Sequence, residues 1–355
     1  VNSVKMLNGI FAYGIWDNKL KKLFLFRDRC GIKPLFYALK RNTIVFASEI
    51  KALFKHPQVA PEINTNSLRE IFAIGPARTE GNGVFKGIYE IKYGHYGVYD
   101  INGFRQLPYW SLKSEEYKKT YQEAVDDVKY LVTSAIEYQM VSDVPVCSFL
   151  SGGLDSCIVT AVASNYLKKE GKVFNTFSFD FKDNNKYFKA NSFQPEQDRP
   201  YVDIMLNNFD VNHTYLECNE DELADYLYLS VDAKDLPGMA DVDASMLYFC
   251  KLVKEHNKVA LTGECADEIF GGYPWFHREE FINADTFPWS INYNVRNSIL
   301  NNDAIVELDI KGYIDKQYKI SMAQVPTLEG EDKLKKRQRE ISFLNLKWFM
   351  TTLLD

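Results

Sequence analysis

The spacing of apolar residues changes character near residue 112. Before it, short apolar runs alternate with turn residues. Phe11–Trp16 is followed by Asp17-Asn18, and Leu23–Phe26, Thr43–Ala47 and Tyr96–Tyr99 come later. Such runs predict the strands of a layered sheet region. Ser48 is expected to cap a short helix through Leu53, and a second helix is expected over Ser67–Ala73. Gly75-Pro76 ends that helix and opens a loop over Arg78–Gly87. Leu107–Lys119 is polar and aperiodic and reads as a linker. From Tyr121 the apolar positions Ala124, Val128, Leu131, Val132, Ala135 and Ile136 mark one face of a helix. Strand and helix patterns then alternate. Val144–Leu150, Val173–Phe179, His213–Leu216 and Val259–Leu261 read as strands. Ile158–Leu167, Arg199–Asn207, Leu223–Val231 and Ala244–His256 read as helices. That alternation predicts a parallel sheet with right-handed crossovers, whose ligands bind at the carboxyl ends of the strands. The run Glu331–Arg339 is expected to be a solvated helix face.

Composition narrows the class. The 355 residues suit two domains, and 46% hydrophobic content is ample for their cores. A net charge of −6 argues against nucleic acid as a partner. No apolar run reaches the roughly 20 residues of a membrane helix. Cysteines 30, 147, 157, 218, 250 and 265 show no metal-binding spacing, and Cys147 and Cys157 read as buried thiols. A reducing, cytoplasmic setting is expected.

The strongest chemical signal is Ser151-Gly152-Gly153-Leu154-Asp155-Ser156, between a strand pattern and a helix pattern. Backbone N–H groups in such a turn lack intrahelical partners, and the helix N-terminus attracts negative charge. Glycines let the backbone approach a phosphate. Ser151 and Ser156 read as hydroxyl donors and Asp155 as an oxygen ligand for Mg2+. The turn carries no Walker lysine, so pyrophosphate suits it better than γ-phosphate transfer. The second signal, Leu261 to Tyr273, follows the last strand. Thr262 and Gly263 can touch a nucleotide through their backbone. Glu264, Asp267 and Glu268 crowd three carboxylates that a cation would offset. Phe149 and Phe179 either line an adenine pocket, chiefly through backbone groups, or belong to the core. Asp198, before Arg199, is expected to cap a helix, with contact to substrate as the alternative. The loop Asp235–Asp243 offers acids for substrate contact or for capping. His277 reads as structural among aromatics.

Ser151–Ser156 together with Leu261–Tyr273 resembles the synthetase domain of the glutamine-hydrolysing asparagine synthetase family. Arg27–Tyr37 and Phe46–Leu53 are similar to the later half of that family's glutaminase domain. The resemblance implies an α/β fold: a parallel-sheet ATP-pyrophosphatase (adenine nucleotide alpha hydrolase-like) domain over 113–355, preceded by part of an α+β Ntn-type glutaminase domain over 1–112. It implies ATP and Mg2+, with nucleotide contacts from Phe149, Ser151, Gly152, Gly153, Leu154, Asp155, Ser156, Phe179, Thr262 and Gly263. Asp155 and Asp267 would hold the metal, and Glu264 would act as a base for ammonia. Aspartate would be adenylated to β-aspartyl-AMP and then amidated, with ammonia drawn from glutamine. A homodimer is compatible with the resemblance.

The family's N-terminal cysteine nucleophile and glutamine-gripping residues would precede Val1, and its pyrophosphate-contacting lysine would follow Asp355. The chain is therefore expected to be a fragment without glutaminase activity, and its synthetase activity is left open. Two alternatives stand. One is a related adenylating enzyme acting on another carboxylate, such as a β-lactam-forming synthetase or a peptide cyclase, distinguished by the loops at 180–198 and 235–243. The other is a non-catalytic nucleotide-binding protein.

Overall fold

A computed structural model describes residues 2–190, 196–218 and 220–354, so part of the 180–198 loop lies outside the described residues. The described residues form two compact units. The first comprises 1–116, 234–238 and 267–355; the second comprises 117–233 and 239–266.

The first unit opens with antiparallel strands. β1 (Ala12–Asp17), β2 (Lys22–Arg27), β3 (Phe36–Lys40), β4 (Thr43–Ala47), β5 (Ile88–Glu90), β6 (His95–Asp100) and β7 (Gly103–Pro108) make sheets of order β1-β2-β6-β7 and β4-β3-β5. Leu25, Leu35, Tyr37 and Ile91 are buried together with contributions from both sheets. Three of these strands, β3, β5 and β7, carry no clean alternation in the sequence.

Helix starts differ from the expected ones. Ser48 caps nothing: Glu49 is the N-cap of Ile50–Leu53 and makes no side-chain cap bond. The Asp235 carboxylate accepts the Lys51 N–H instead, at 3.0 Å. The expected helix at 67–73 begins earlier, at Thr65, with Asn64 and Ser67 in a reciprocal capping box. It continues as a π-helical turn over Glu70–Ile74. Ala73 and Ile74 share a core with Phe287, Leu308, Ile314, Leu344 and Trp348.

The second unit is built on a parallel sheet. β8 (Val146–Phe149), β9 (Phe174–Phe181), β10 (Val211–Cys218) and β11 (Val259–Leu261) lie in the order β10-β9-β8-β11. Successive strand residues point to opposite faces. Val146, Phe174 and Leu261 bury against Ile136 of helix Tyr121–Gln139, its C-cap Met140, and Ala163 of helix Leu154–Lys168. Cys147 and Phe177 bury against Val253 of helix Asp241–Lys254. Both faces are thus covered, as in other parallel sheets. Thr120 and Glu123 form the capping box that starts the first of those helices.

Candidate active site

The chain lays down β8, β9 and β10 in one direction and then returns to place β11 on the other side of β8. The switch in strand order lies between the neighbouring strands β8 and β11. Open α/β sheets bind ligands at such a point, beyond the carboxyl ends of the strands. Both glycine-bearing motifs leave the sheet there, one after β8 and one after β11.

The 151–156 turn is held from within. Gly152 has φ +84°, a conformation that favours glycine. Gly153 is the N-cap of helix Leu154–Lys168 and offers no side chain to its first N–H groups. Anion sites use N–H groups at such a helix start. The Ser156 hydroxyl donates to Gly153 O at 3.0 Å and accepts from Ser151 N at 3.2 Å. Ser151 Oγ lies 3.1 Å from Ser156 Oγ and 3.4 Å from the Gly153 N–H. A side chain at 152 is excluded, because its Cβ would stand 2.7 Å from Tyr201 Cβ and 2.8 Å from Asp198 O. The helix Arg199–Asn208 therefore begins against this turn. Asp198 occupies its N-cap position but makes no side-chain cap bond, contrary to expectation.

The second motif closes on the first. A Cβ on Gly263 would lie 2.8 Å from Asp155 Cβ and 3.0 Å from Ser156 N. Only a glycine backbone can pass so close to the start of the helix. Beyond it, Cys265 adopts φ +71°, an uncommon conformation for a residue with a side chain. Glu264 is exposed and its N–H faces Thr262 Oγ1 at 3.4 Å.

The structure thus brings Ser151–Ser156 and Gly263 together within the second unit. Asp267 belongs to the first unit. There Asp267 O accepts the Gly271 and Gly272 N–H groups at 2.9 and 3.1 Å. The three crowded carboxylates do not act alike: Glu268 is buried and accepts the Tyr273 hydroxyl at 2.6 Å. Among the described residues, no group of three or more His, Cys, Asp or Glu converges to hold a metal.

The Phe149 and Phe179 rings pack edge to face at 4.9 Å, and Phe179 stacks on Phe249 at 4.1 Å. Both rings are partly buried and pack against the core of Cys147, Phe177 and Val253. Cys147 is buried, which pushes its thiol up to about 12, while Cys157 is half-buried and raised for the same reason. Thiols so protonated are poor nucleophiles at neutral pH. His277 bonds Gly271 O at 2.9 Å, a structural use. Asp243, in the first turn of helix Asp241–Lys254, accepts the N–H of Met239 in the loop before it. Sequence reasoning passed over Ser178, a polar residue in an apolar strand, whose hydroxyl donates to Leu150 O at the mouth of the turn.

Residues 127–355 match the asparagine synthase family model, and residues 1–110 match the glutamine amidotransferase domain model. A Bacillus subtilis protein named asparagine synthetase [glutamine-hydrolyzing] 3 is 44% identical over 99% of this chain and 57% of its own length. A Methanocaldococcus jannaschii protein named putative asparagine synthetase [glutamine-hydrolyzing] 2 is 29% identical over 76% of this chain and 50% of its own. A Gibberella zeae protein named amidase chry2 is 28% identical over 79% and 42%. The chain thus spans about half the length of these curated relatives. No helix among the described residues is long and apolar enough to cross a membrane. On the family model that spans the parallel sheet and both glycine-bearing motifs, the chain belongs to the asparagine synthase family.

Proposed function

We propose that this chain carries the adenylating machinery of an ATP-dependent synthetase that converts aspartate to asparagine. The supporting observation is the meeting of the 151–156 turn and Gly263 at the strand-order switch, in a chain of this family. Residues 113–355 form the ATP-pyrophosphatase domain of this reading, and 1–112 the later part of an Ntn-type glutaminase domain. A cytoplasmic setting and a homodimer belong to the same reading.

A carboxylate is a poor electrophile until it is activated. An oxygen of the aspartate side chain attacks the α-phosphorus of ATP, and the bond to the β,γ-pyrophosphate breaks. The leaving pyrophosphate gathers charge where the turn aims its N–H groups, which lowers the barrier by electrostatic stabilisation. The ammonia lone pair then attacks the acyl carbon of β-aspartyl-AMP. AMP leaves with the electrons of the C–O bond. Glu264, exposed beside the Gly263 contact, takes the proton lost by the attacking nitrogen. Backbone groups at Phe149, Phe179, Thr262 and Gly263 contact the nucleotide.

Mg2+ is normally held by one or two carboxylates, with phosphate oxygens and water completing its shell. Asp155, in the first turn of its helix, fits that mode, and no larger protein cage among the described residues competes with it. Asp267 is the proposed second carboxylate. When bound, the ion neutralises charge on the departing pyrophosphate.

The test supplies ATP, Mg2+ and ammonia with one carboxylate at a time and measures pyrophosphate release and amide product. Aspartate is expected to support both. Turnover of another acid with none of aspartate would overturn the substrate assignment and favour a related adenylating enzyme. Asp155→Ala is expected to abolish pyrophosphate release; retained release would remove Asp155 from the metal site.

A further inference from the structure

An anion-binding turn must aim N–H groups at its ligand and also keep its carbonyl oxygens away, since a carbonyl dipole facing a pyrophosphate repels it. In the 151–156 turn, two carbonyls are held back by hydroxyls. Gly153 O accepts from Ser156 Oγ and, as the helix N-cap carbonyl, from the Cys157 N–H, both at 3.0 Å. Leu150 O, where β8 runs into the turn, accepts from Ser178 Oγ. Ser156 is 6% exposed and Ser178 is 5% exposed, so water does not compete for either bond. A serine hydroxyl has one hydrogen to donate. In both residues that hydrogen is committed to a carbonyl, so neither hydroxyl donates to a ligand while these bonds stand.

We infer that Ser178, together with Ser156, is a positioning residue for pyrophosphate. The Ser178 hydroxyl turns the Leu150 carbonyl inward, the Ser156 hydroxyl joins the Cys157 N–H in holding the Gly153 carbonyl, and the face of the turn is left to backbone N–H donors. This deepens the adenylation reading and rests on it. Ser178 reaches its place through strand pairing. Phe149 is opposite Phe177 in the β8–β9 ladder, so Ser178 sits one residue past the paired end, beside Leu150. The Leu150 N–H is held by Phe177 O at 2.8 Å. With its N–H and C=O both bound to β9, Leu150 fixes the orientation of the peptide that enters the turn. The Ser151 N–H of the same peptide bonds Ser156 Oγ at 3.2 Å. Without the Ser178 hydroxyl that end still holds, but the Leu150 carbonyl loses its anchor and can tilt towards the anion.

The experiment uses inorganic pyrophosphate as the probe. One hydrogen bond of this kind is worth about 0.5–1.5 kcal/mol net, roughly two- to tenfold in affinity. Ser178→Ala is expected to weaken pyrophosphate binding and raise KM for ATP by that factor, with KM for the carboxylate substrate unchanged. Amide exchange at 151–153 in the ligand-free protein should rise. Ser178→Thr, which keeps the hydroxyl, should restore affinity, and Ser178→Cys, a weaker donor, should fall between. Wild-type pyrophosphate affinity in Ser178→Ala, with only a lower Tm, overturns the positioning role and leaves the adenylation reading intact. A wild-type protein that binds no pyrophosphate overturns both.

Discussion

Glycine 263 shows how much a single residue can decide. Its closest neighbours are the Cβ of Asp155 and the backbone N of Ser156, neither of which is the far end of a flexible side chain. Gly263→Ala should therefore push the second motif off the first. Pyrophosphate release in the ammonia-dependent assay should drop by about tenfold or more, a loss of roughly 1.4 kcal/mol of transition-state stabilisation. The fold should survive, since the added methyl group lies at the mouth of the site and not in the core. His213 carries a different prediction. Its Nδ1 pairs with Thr176 Oγ1 at 2.8 Å, and its Nε2 is buried without a hydrogen-bond partner. Burial lowers its pKa below the ordinary 6.5; Arg199 adds to that, and Asp203 opposes it. As pH falls through 6.5, the unfolded chain takes up this proton before the folded chain does. Stability should therefore fall towards acid pH. Melting curves between pH 7 and 5 should show a smaller acid loss in His213→Gln than in the parent. An equal loss in both would show that other groups set the acid limit.

At the scale of elements, sequence patterns located the helices of the parallel-sheet region well and those of the first unit less well. Residues 121–139 announce their helix twice, by apolar period and by the Thr120/Glu123 capping box, and both signals are local. The short helix Ile50–Leu53 has no local cap at all. Asp235, far along the chain, accepts the Lys51 N–H, and its second carboxylate oxygen lies 3.4 Å from Lys51 Nζ. Leu236 beside it is buried with Phe36, Ile50 and Leu53. Asp235→Ala should cost about 1 kcal/mol, nearly all from the lost cap, because the Lys51 ammonium is too exposed for the ion pair to add much. A thermal shift of a few degrees would register it; an unchanged Tm would mean that water replaces the carboxylate. The charge run Glu331–Arg339 is similarly misleading on its own. It enters helix Lys333–Leu344, but it is not simply a solvated face. Arg337 is half-buried and bonds Ile282 O and Ala284 O, and Arg339 pairs with Glu331. Charged residues of this kind are anchors whose partners no local pattern reveals.

At the scale of the whole molecule, chain order and compactness part ways. The apolar pattern changes near residue 112, and the matched families meet between 110 and 127. Yet residues 267–355 form one compact unit with 1–116. The shared core of Ala73, Ile74, Phe287, Leu308 and Trp348 is the reason. Residues 1–112 produced alone should lose that cover and expose Ala73, Ile74 and Ala77. They are expected to aggregate or to melt without cooperativity; a sharp, reversible transition of the isolated segment would contradict this. Sequence alone determined the parallel sheet, its helices and the two glycine-bearing motifs, because a strand, a turn and a helix N-terminus are specified by neighbours a few residues apart. Tertiary structure decided the rest. It carried β11 back beside β8, closed Gly263 onto Asp155, and brought Ser178 from the next strand to hold the Leu150 carbonyl. These are contacts between residues from 28 to 113 positions apart, and no local spacing encodes which of many serines or glycines will meet a given backbone group.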